Sequence, residues 1–270
     1  MLSVDHGHIS KMAKSPTLSV IIITKNEASN IEACLNSVAF ADELIVLDSG
    51  SSDETVQLAR EKGARVYPVD DWPGFGPQKN RALALATCDW VLSLDADERV
   101  AEDLAAEIKA VIQELKQAAF EVPRLTQFCG QWIHHCGWTP DRVLRLFRRG
   151  TAKFSNDLVH EKVLLSPGVR CGRLRSHLLH YSYPTPTHYW RKLEQYSQAW
   201  ATQRWALGQK VSMWRAGLSG VVAFARSYFF RLGFLDGAMG FAVCTMQAQA
   251  AFGKYFALYC MSKENDSSAF

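Results

Sequence analysis

Leu18 to Thr24 is an unbroken run of apolar and β-branched residues, the mark of a strand covered on both faces. Ile31, Leu35 and Val38 then recur at helical spacing, and Glu43 to Asp48 forms a second buried-strand pattern. A polar turn, Ser49 to Ser52, leads into a helix that Ser52 or Asp53 is expected to cap. Ala64–Val69 reads as a third strand, Pro77–Ala86 as a helix and Asp89–Leu94 as a fourth strand. Strands alternating with helices in this way predict an α/β fold, Rossmann-like, with a mostly parallel sheet and helices on both faces. After a helix around Leu104–Leu115 the rhythm breaks. Short strands are expected at Val143–Phe147, Val159–Leu164 and Leu178–Tyr183, a mixed extension of the same sheet. From Thr187 the pattern is helical. Tyr189, Leu193, Tyr196 and Trp200 share one face, and Leu218, Val222, Ala225, Phe229 and Leu232 share another. The expected divisions are a tail at 1–16, a first half at 17–120, a second half of the same domain at 121–186 and C-terminal amphipathic helices at 187–270.

Composition narrows the class. Of 270 residues 48% are hydrophobic and 21% charged, the profile of a folded protein with one large core. A net charge of +3 argues against a nucleic-acid partner. The charge is uneven, however. Between His188 and Lys254 stand Arg191, Lys192, Arg204, Lys210, Arg215, Arg226, Arg231 and Lys254, against only Glu194 and Asp236. Interleaved with aromatics, that excess suits an anionic membrane surface. No apolar signal segment and no uncharged run near the ~20 residues of a membrane span is evident, so a soluble or peripheral protein is expected. Seven cysteines without a CxxC pair fit reduced thiols in a cytoplasmic protein. Cys129, His134, His135 and Cys136 are metal-capable, but their spacing is no standard zinc pattern. Buried thiols and loop histidines are the better reading.

In an open parallel sheet the carboxyl ends of the strands line the ligand crevice. Here Thr24, Asn26 and Glu27 follow the first strand, Asp48 the second, and Asp95 and Asp97 the fourth. One strand ending in polar residues is ordinary; three, with a Gly-Ser turn after one, point to a shared site. Asp95-Ala96-Asp97 places two carboxylates where they can hold a hard divalent cation, Mg²⁺ or Mn²⁺, that also binds substrate phosphates. A diphosphate leaving group calls for such a cation, because charge builds on it as the bond breaks. The rival reading is an acidic helix start before Ala101. A phosphatase of the Asp-x-Asp nucleophile type is disfavoured, because Glu98, Arg99 and Val100 follow and the motif comes late in the sheet. The chain has neither G-x-x-x-x-G-K-[ST] nor a G-x-G-x-x-G after its first strand, so P-loop and dinucleotide readings lack their phosphate cradle. Lys79, at a helix start, is a candidate for meeting a diphosphate instead.

These segments occur in a familiar order. Ser19 to Glu27, Asp48 to Asp53, Gln78-Lys79-Asn80-Arg81 and Leu94 to Glu98 together resemble the inverting family-two glycosyltransferases of the GT-A fold. The resemblance implies that Thr24, Asn26, Glu27 and Asp48 bind the nucleotide-sugar in the first half, with Lys79 near its phosphates. It also implies a divalent metal on Asp97, with Asp95 close by. Gly137 to Arg142, Arg145 to Arg148, Val159-His160-Glu161, His180-Tyr181-Ser182 and Gly233 to Gly237 are similar to bacterial lipopolysaccharide core β-glucosyltransferases. That subgroup implies UDP-glucose as donor and an inner-core heptose, a lipid-linked saccharide, as acceptor. It also implies a peripheral place on the cytoplasmic face of the inner membrane. Many family-two enzymes carry the base in a Glu-Asp pair well after the Asp-x-Asp; none occurs past Asp103, and His160-Glu161 occupies the comparable region. Glu161 is therefore the expected base, with Asp157 second and an ion pair of Glu161 with Arg142 or Arg145 as the bland alternative. His180 is expected to complete the metal shell, and Trp138, Arg142 and Arg145 to face the acceptor. A nucleotidyltransferase is disfavoured for want of a Gly-rich loop, and a sugar-nucleotide-binding membrane scaffold without turnover is the non-enzymatic rival.

Overall fold

The computed structural model describes residues 15–114, 116–156 and 161–267. In chain order the elements are β1 Leu18–Thr24, α1 Ala28–Ser37, β2 Glu43–Asp48, α2 Thr55–Glu61, β3 Arg65–Pro68, α3 Phe75–Leu85, β4 Trp90–Asp95 and β5 Glu98–Val100. There follow α4 Glu102–Glu114, β6 Ala119–Phe128, β7 Gln131–Ile133, β8 Asp141–Arg148, β9 Ala152–Phe154, β10 Val163–Leu165, β11 Cys171–Arg173 and β12 Leu178–Tyr183. The chain closes with α5 Pro186–Ala206, α6 Met213–Ala225, a π-helical turn Arg226–Phe230, a 3₁₀ turn Gly233–Asp236 and α7 Gly237–Ser267. This is the expected α/β class, GT-A in type, with a mostly parallel first half, a mixed second half and C-terminal helices.

Two compact units emerge, and they interleave along the chain. The first comprises residues up to Ala96 with Ala105–Phe120 and Leu144–Gly172; the second comprises Asp97–Leu104, Glu121–Val143 and Arg173 onward. The contiguous cuts at 120 and 186 expected from sequence are thus replaced by segments that alternate. The expected tail at 1–16 lies mostly outside the described residues.

In the first unit β3, β2, β1 and β4 run parallel, in that order. The register pairs Thr24 with Asp48 and Ile23 with Asp95, so three strand tips carry their polar residues to one edge. Every residue of β1 is buried, which is why its sequence has no polar alternation. Ile21, Ile23, Ile45 and Leu47 pack with Ala82 of α3 and with Ala86 just past its end. The alternate residues Val20, Ile22 and Val46 are also fully covered. β9 and β10 form a small antiparallel pair of their own.

In the second unit β12 runs parallel to β6 and antiparallel to β5, with β7 antiparallel to the end of β6. Phe128, Ile133, Cys136, Val243 and Cys244 form its core, with Trp138, Tyr183 and Tyr189 against them. Thr185 and Pro186 begin α5, Pro at a position where its missing N–H costs nothing. Ser212 caps α6 through the N–H of Arg215.

Two expectations change. α2 starts at Thr55, because Asp53 takes the N–H and hydroxyl of Thr55 while Ser52 gives both of its donors to Asn26. The long strand β6 was not anticipated, and of the strand expected at Val159–Leu164 only β10 falls within the described residues. The sequence left open where the face shared by Leu218, Val222 and Phe229 would point; it points outward, and Tyr196 on α5 is likewise exposed.

Candidate active site

In the first unit the site begins at the tips of β1 and β2. Thr24 is buried, and its hydroxyl has no hydrogen-bond partner among the described residues. An unsatisfied buried hydroxyl at a strand end is open to a ligand. The Asp48 carboxylate is spent on its own turn, accepting from the N–H of Gly50 at 3.1 Å and of Ser51 at 2.9 Å. Asn26 stands in the left-handed region (φ 55°) and receives the Ser52 N–H at 2.8 Å, so it ties one loop to the next. Glu27 accepts from the Asn30 side chain at 2.9 Å, and its N–H reaches the Thr55 hydroxyl at 2.8 Å. Of these four expected nucleotide-sugar residues, Asp48 and Asn26 shape the loops, while Thr24 presents an open polar atom.

The segment Gly76 to Arg81 shows why those residue types belong together. Gln78 is buried and donates to Ser49 Oγ at 3.0 Å and to the Asp71 carbonyl at 3.1 Å. Lys79, only 3% exposed, sends Nζ to Asp95 Oδ1 at 2.9 Å and Glu161 Oε1 at 2.7 Å. Asn80 pairs its side-chain amide with both backbone groups of Phe154, each at 2.9 Å. Arg81 grips the Asp71 carboxylate with two N–H groups, at 2.6 and 2.8 Å. Gly76 lets α3 approach the β9–β10 connection, since a Cβ there would stand 1.8 Å from the Ser155 carbonyl oxygen.

Asp95 has a second cation. The Arg145 guanidinium, 6% exposed, is bonded to its Oδ2. Burial alone would raise the Asp95 carboxyl, but Arg145 and then Lys79 outweigh it and hold it well below the ordinary carboxylate range. Arg145 was expected to face the acceptor. It is instead a buried counter-charge for Asp95. Glu161 is paired, as the bland alternative required, but its partner is Lys79 and not an arginine. Asp157, the second candidate base, lies outside the described residues. Trp72 and Phe75 form an exposed edge-to-face pair at the start of α3, with ring centroids 4.9 Å apart.

In the second unit Asp97 and His180 come together, His180 Nε2 lying 3.3 Å from Asp97 Oδ2. The β5–β12 ladder sets this, with His180 opposite Glu98 and the Tyr181 N–H on the Asp97 carbonyl at 2.8 Å. The other ring nitrogen, Nδ1, is 3.2 Å from Thr126 Oγ1 of β6. An Nε2–H donates to Asp97 Oδ2; the other tautomer, with Nδ1–H on Thr126 Oγ1, would leave the Nε2 lone pair for a cation set between ring and carboxylate. Arg124 binds Asp141 at 2.6 Å and reaches the fully buried Glu98 at 3.4 Å. Arg142 is exposed and donates to the Leu174 carbonyl at 3.2 Å. Trp138 is half-buried among rings, 5.5 Å from Tyr183 and 6.0 Å from Phe128. Thr126 was not singled out by sequence, and Gln78 and Asn80 stood in a quoted motif without a role; only the fold shows what they hold.

Among the described residues no group of three or more metal-capable side chains converges. Cys136 is buried, which pushes its thiol well above the ordinary range, with Cys244 and Asp236 adding to this. His135 bonds Asp236 at 2.8 Å. In the Cys129–Cys136 segment a buried thiol and a histidine thus both lie against Asp236.

Comparison with known proteins agrees with this geometry. The profile described as Glycosyl transferase family 2 matches residues 19–161. An uncharacterized glycosyltransferase of Rickettsia prowazekii is 30% identical over 87% of this chain and 84% of its own length. A lipopolysaccharide core biosynthesis glycosyltransferase of Rhizobium meliloti is 28% identical over 78% of this chain and 80% of its own. Among solved structures, glucosyl-3-phosphoglycerate synthase from Mycobacterium tuberculosis is 29% identical with a TM-score of 0.35, covering 43% of this chain and 45% of that one.

Proposed function

This chain belongs to glycosyl transferase family 2, and on that ground we propose that it moves glucose from UDP-glucose, with inversion, to the inner-core heptose of lipopolysaccharide. The observation that carries the reading is the buried ammonium of Lys79, held between the carboxylates of Asp95 and Glu161. A lysine so placed at the crevice edge of a parallel sheet is a preformed counter-charge for a diphosphate.

In the proposed reaction an acceptor hydroxyl attacks the anomeric carbon from the face opposite the leaving group. Its proton passes to the Glu161 carboxylate as the new C–O bond forms. The bond from the anomeric carbon to the diphosphate oxygen breaks, and its electron pair leaves with UDP. The transition state carries oxocarbenium character. Lys79 answers the charge arriving on the phosphates, Arg145 keeps Asp95 ionised, and Thr24 offers its open hydroxyl to the nucleotide.

Asp97 and His180 supply one carboxylate and one imidazole at 3.3 Å, a donor pair that suits Mn²⁺ or Mg²⁺ when phosphates and water fill the other positions. A divalent cation held by Asp97 and His180 would supply positive charge to a leaving diphosphate. Asp95, engaged by two cationic side chains, sets the charge at the tip of β4.

Support for the acceptor class comes from the Rhizobium meliloti relative, whose name places it in lipopolysaccharide core biosynthesis. The basic and aromatic C-terminal helices suit a lipid-linked acceptor presented at the cytoplasmic surface of a membrane. The test is UDP release from UDP-glucose with a heptose-terminated core acceptor, comparing the native chain with Glu161→Gln. Turnover of the native chain with loss in the variant supports the reading; near-normal turnover of the variant removes Glu161 as base.

A further inference from the structure

We propose that the corner joining α6 to α7 is a membrane-inserted hairpin, seated in the acyl boundary of one anionic leaflet rather than merely resting on its surface. The argument is confined to the second unit and does not depend on which sugar is transferred.

The first observation is an inversion of the usual helix polarity. Where α6 and its continuation meet α7 the fully buried residues are small, Ala216, Gly220 and Ser227, while Phe224 and Tyr228 are half-buried against the core. A Cβ on Gly220 would stand 3.2 Å from the Ala248 carbonyl oxygen of α7, and Ser219 Oγ donates to the Ala251 carbonyl at 3.1 Å. The outward residues are large and apolar. Trp214 is 70% exposed, Val221 67% and Phe230 82%, with Leu218, Val222 and Phe229 exposed beside them. Small residues between helices and large apolar ones facing out is the packing of helices surrounded by lipid. A helix made only for water would not leave six large apolar residues on its outer face.

The second observation is the shape of the corner. No single helix among the described residues is long and apolar enough to cross a membrane, but Met213–Phe230 and Gly233–Lys263 pass that test together, bent by 74°. The bend is built in. Leu232 takes a left-handed conformation (φ 56°), and Gly233 and Gly240 meet so closely that a Cβ on Gly240 would lie 1.9 Å from the Gly233 carbonyl oxygen. Asp236 pins the corner to the loop before β8, accepting from the His135 N–H and ring at 2.8 Å each. A rigid corner that presents Phe229, Phe230, Phe234 and Leu235 to the outside has lost little entropy still to be lost on binding.

Charge identifies the occupant as lipid. From Leu207 to Gly253 the charged residues are Lys210, Arg215, Arg226, Arg231 and Asp236, and Asp236 is turned inward onto His135. Arg226 and Arg231 are exposed and bracket the aromatic tip. Their stems can lie along acyl chains while the guanidiniums reach phosphates. Two arginines at that position fix the depth at the headgroup–acyl boundary, about 5–10 Å in, and rule out a span.

The full-length chain should float with vesicles of phosphatidylglycerol and phosphatidylethanolamine and stay bound in molar salt. Phe229→Ser/Phe230→Ser should lower its partition into those vesicles by at least about tenfold, since each exposed ring then has no apolar surface to bury. Its unfolding temperature should fall only slightly, because Phe230 is 82% exposed and Phe229, 58% exposed, loses one edge contact with Tyr228. Val221→Ser/Val222→Ser on the same stripe provides an independent variant, with the same loss expected. Release of the native chain by salt, or equal flotation of both variants, overturns the proposal. So does a lipid-free dimer that the substitutions split, which would assign the face to a second copy. UDP-glucose binding is read separately, so failure here leaves the catalytic reading untouched.

Discussion

Lys79 makes the site's electrostatics interdependent, because one buried ammonium answers two carboxylates and Asp95 draws on a second cation, Arg145. Replacing Lys79 by Met leaves Glu161 and Asp95 facing each other without it. We expect a stability loss of about 3 kcal/mol in denaturant unfolding and loss of UDP release. Asp95 makes a pH prediction. Its folded carboxyl lies below the unfolded value, so its stabilisation is complete above the unfolded pKa of about 3.9 and drains away as pH falls toward the folded one. The stability gap between the native chain and Asp95→Asn should therefore be constant from about pH 7 to 5 and shrink below about pH 4. A gap unchanged by acid would refute the account. Residue type revealed Asp95, Lys79 and Glu161 as chemistry, because a motif order surrounds them. It misplaced Arg145, because nothing in Arg145-Leu146-Phe147-Arg148 tells a buried guanidinium from a surface one.

Elements hold these groups at working distance through backbone contacts that no single motif advertises. Gly76 and Asn80 fasten α3 to the segment that carries Glu161. Gly76→Ala should cost about 1–3 kcal/mol through overpacking against Ser155. By shifting Lys79 relative to Glu161 it should lower kcat about 100-fold in the UDP-release assay, a misplacement effect. In the second unit Thr126 orients His180, so Thr126→Val should weaken Mn²⁺ affinity about 10-fold or more by titration while leaving the fold intact. β1 and β2 were legible to the residue because nearly continuous apolar runs end sharply in polar residues, and β12 because its short run lies between polar or Pro-rich loops. β6 was not. Its burial repeats every third residue rather than every second, and Pro123 interrupts a stretch that otherwise reads as a strand. On α6 the apolar stripe was located correctly, but periodicity cannot say whether a stripe meets core or lipid; only the small residues opposite it decide that.

At the scale of the whole chain, the order of strands could be read from sequence and the division into units could not. Segments 97–104, 121–143 and 173 onward form one unit by contacts far apart in the chain, which local pattern does not encode. Asp95 belongs to the first unit and Asp97 to the second. The proposed ligand dependence has a measurable form. UDP-glucose at about one hundred times its Kd should raise unfolding free energy by about 2.7 kcal/mol in the presence of Mn²⁺. Chelation should reduce the gain, and so should His180→Ala with Mn²⁺ restored, because the imidazole beside Asp97 is lost. Lys79→Met should also reduce it, for a different reason: the cation remains but the phosphates lose their ammonium. If the gain were indifferent to chelator and to His180 yet abolished with Lys79, the diphosphate would be held by the lysine alone. The acidic pair would then serve only to balance charge at the tip of β4.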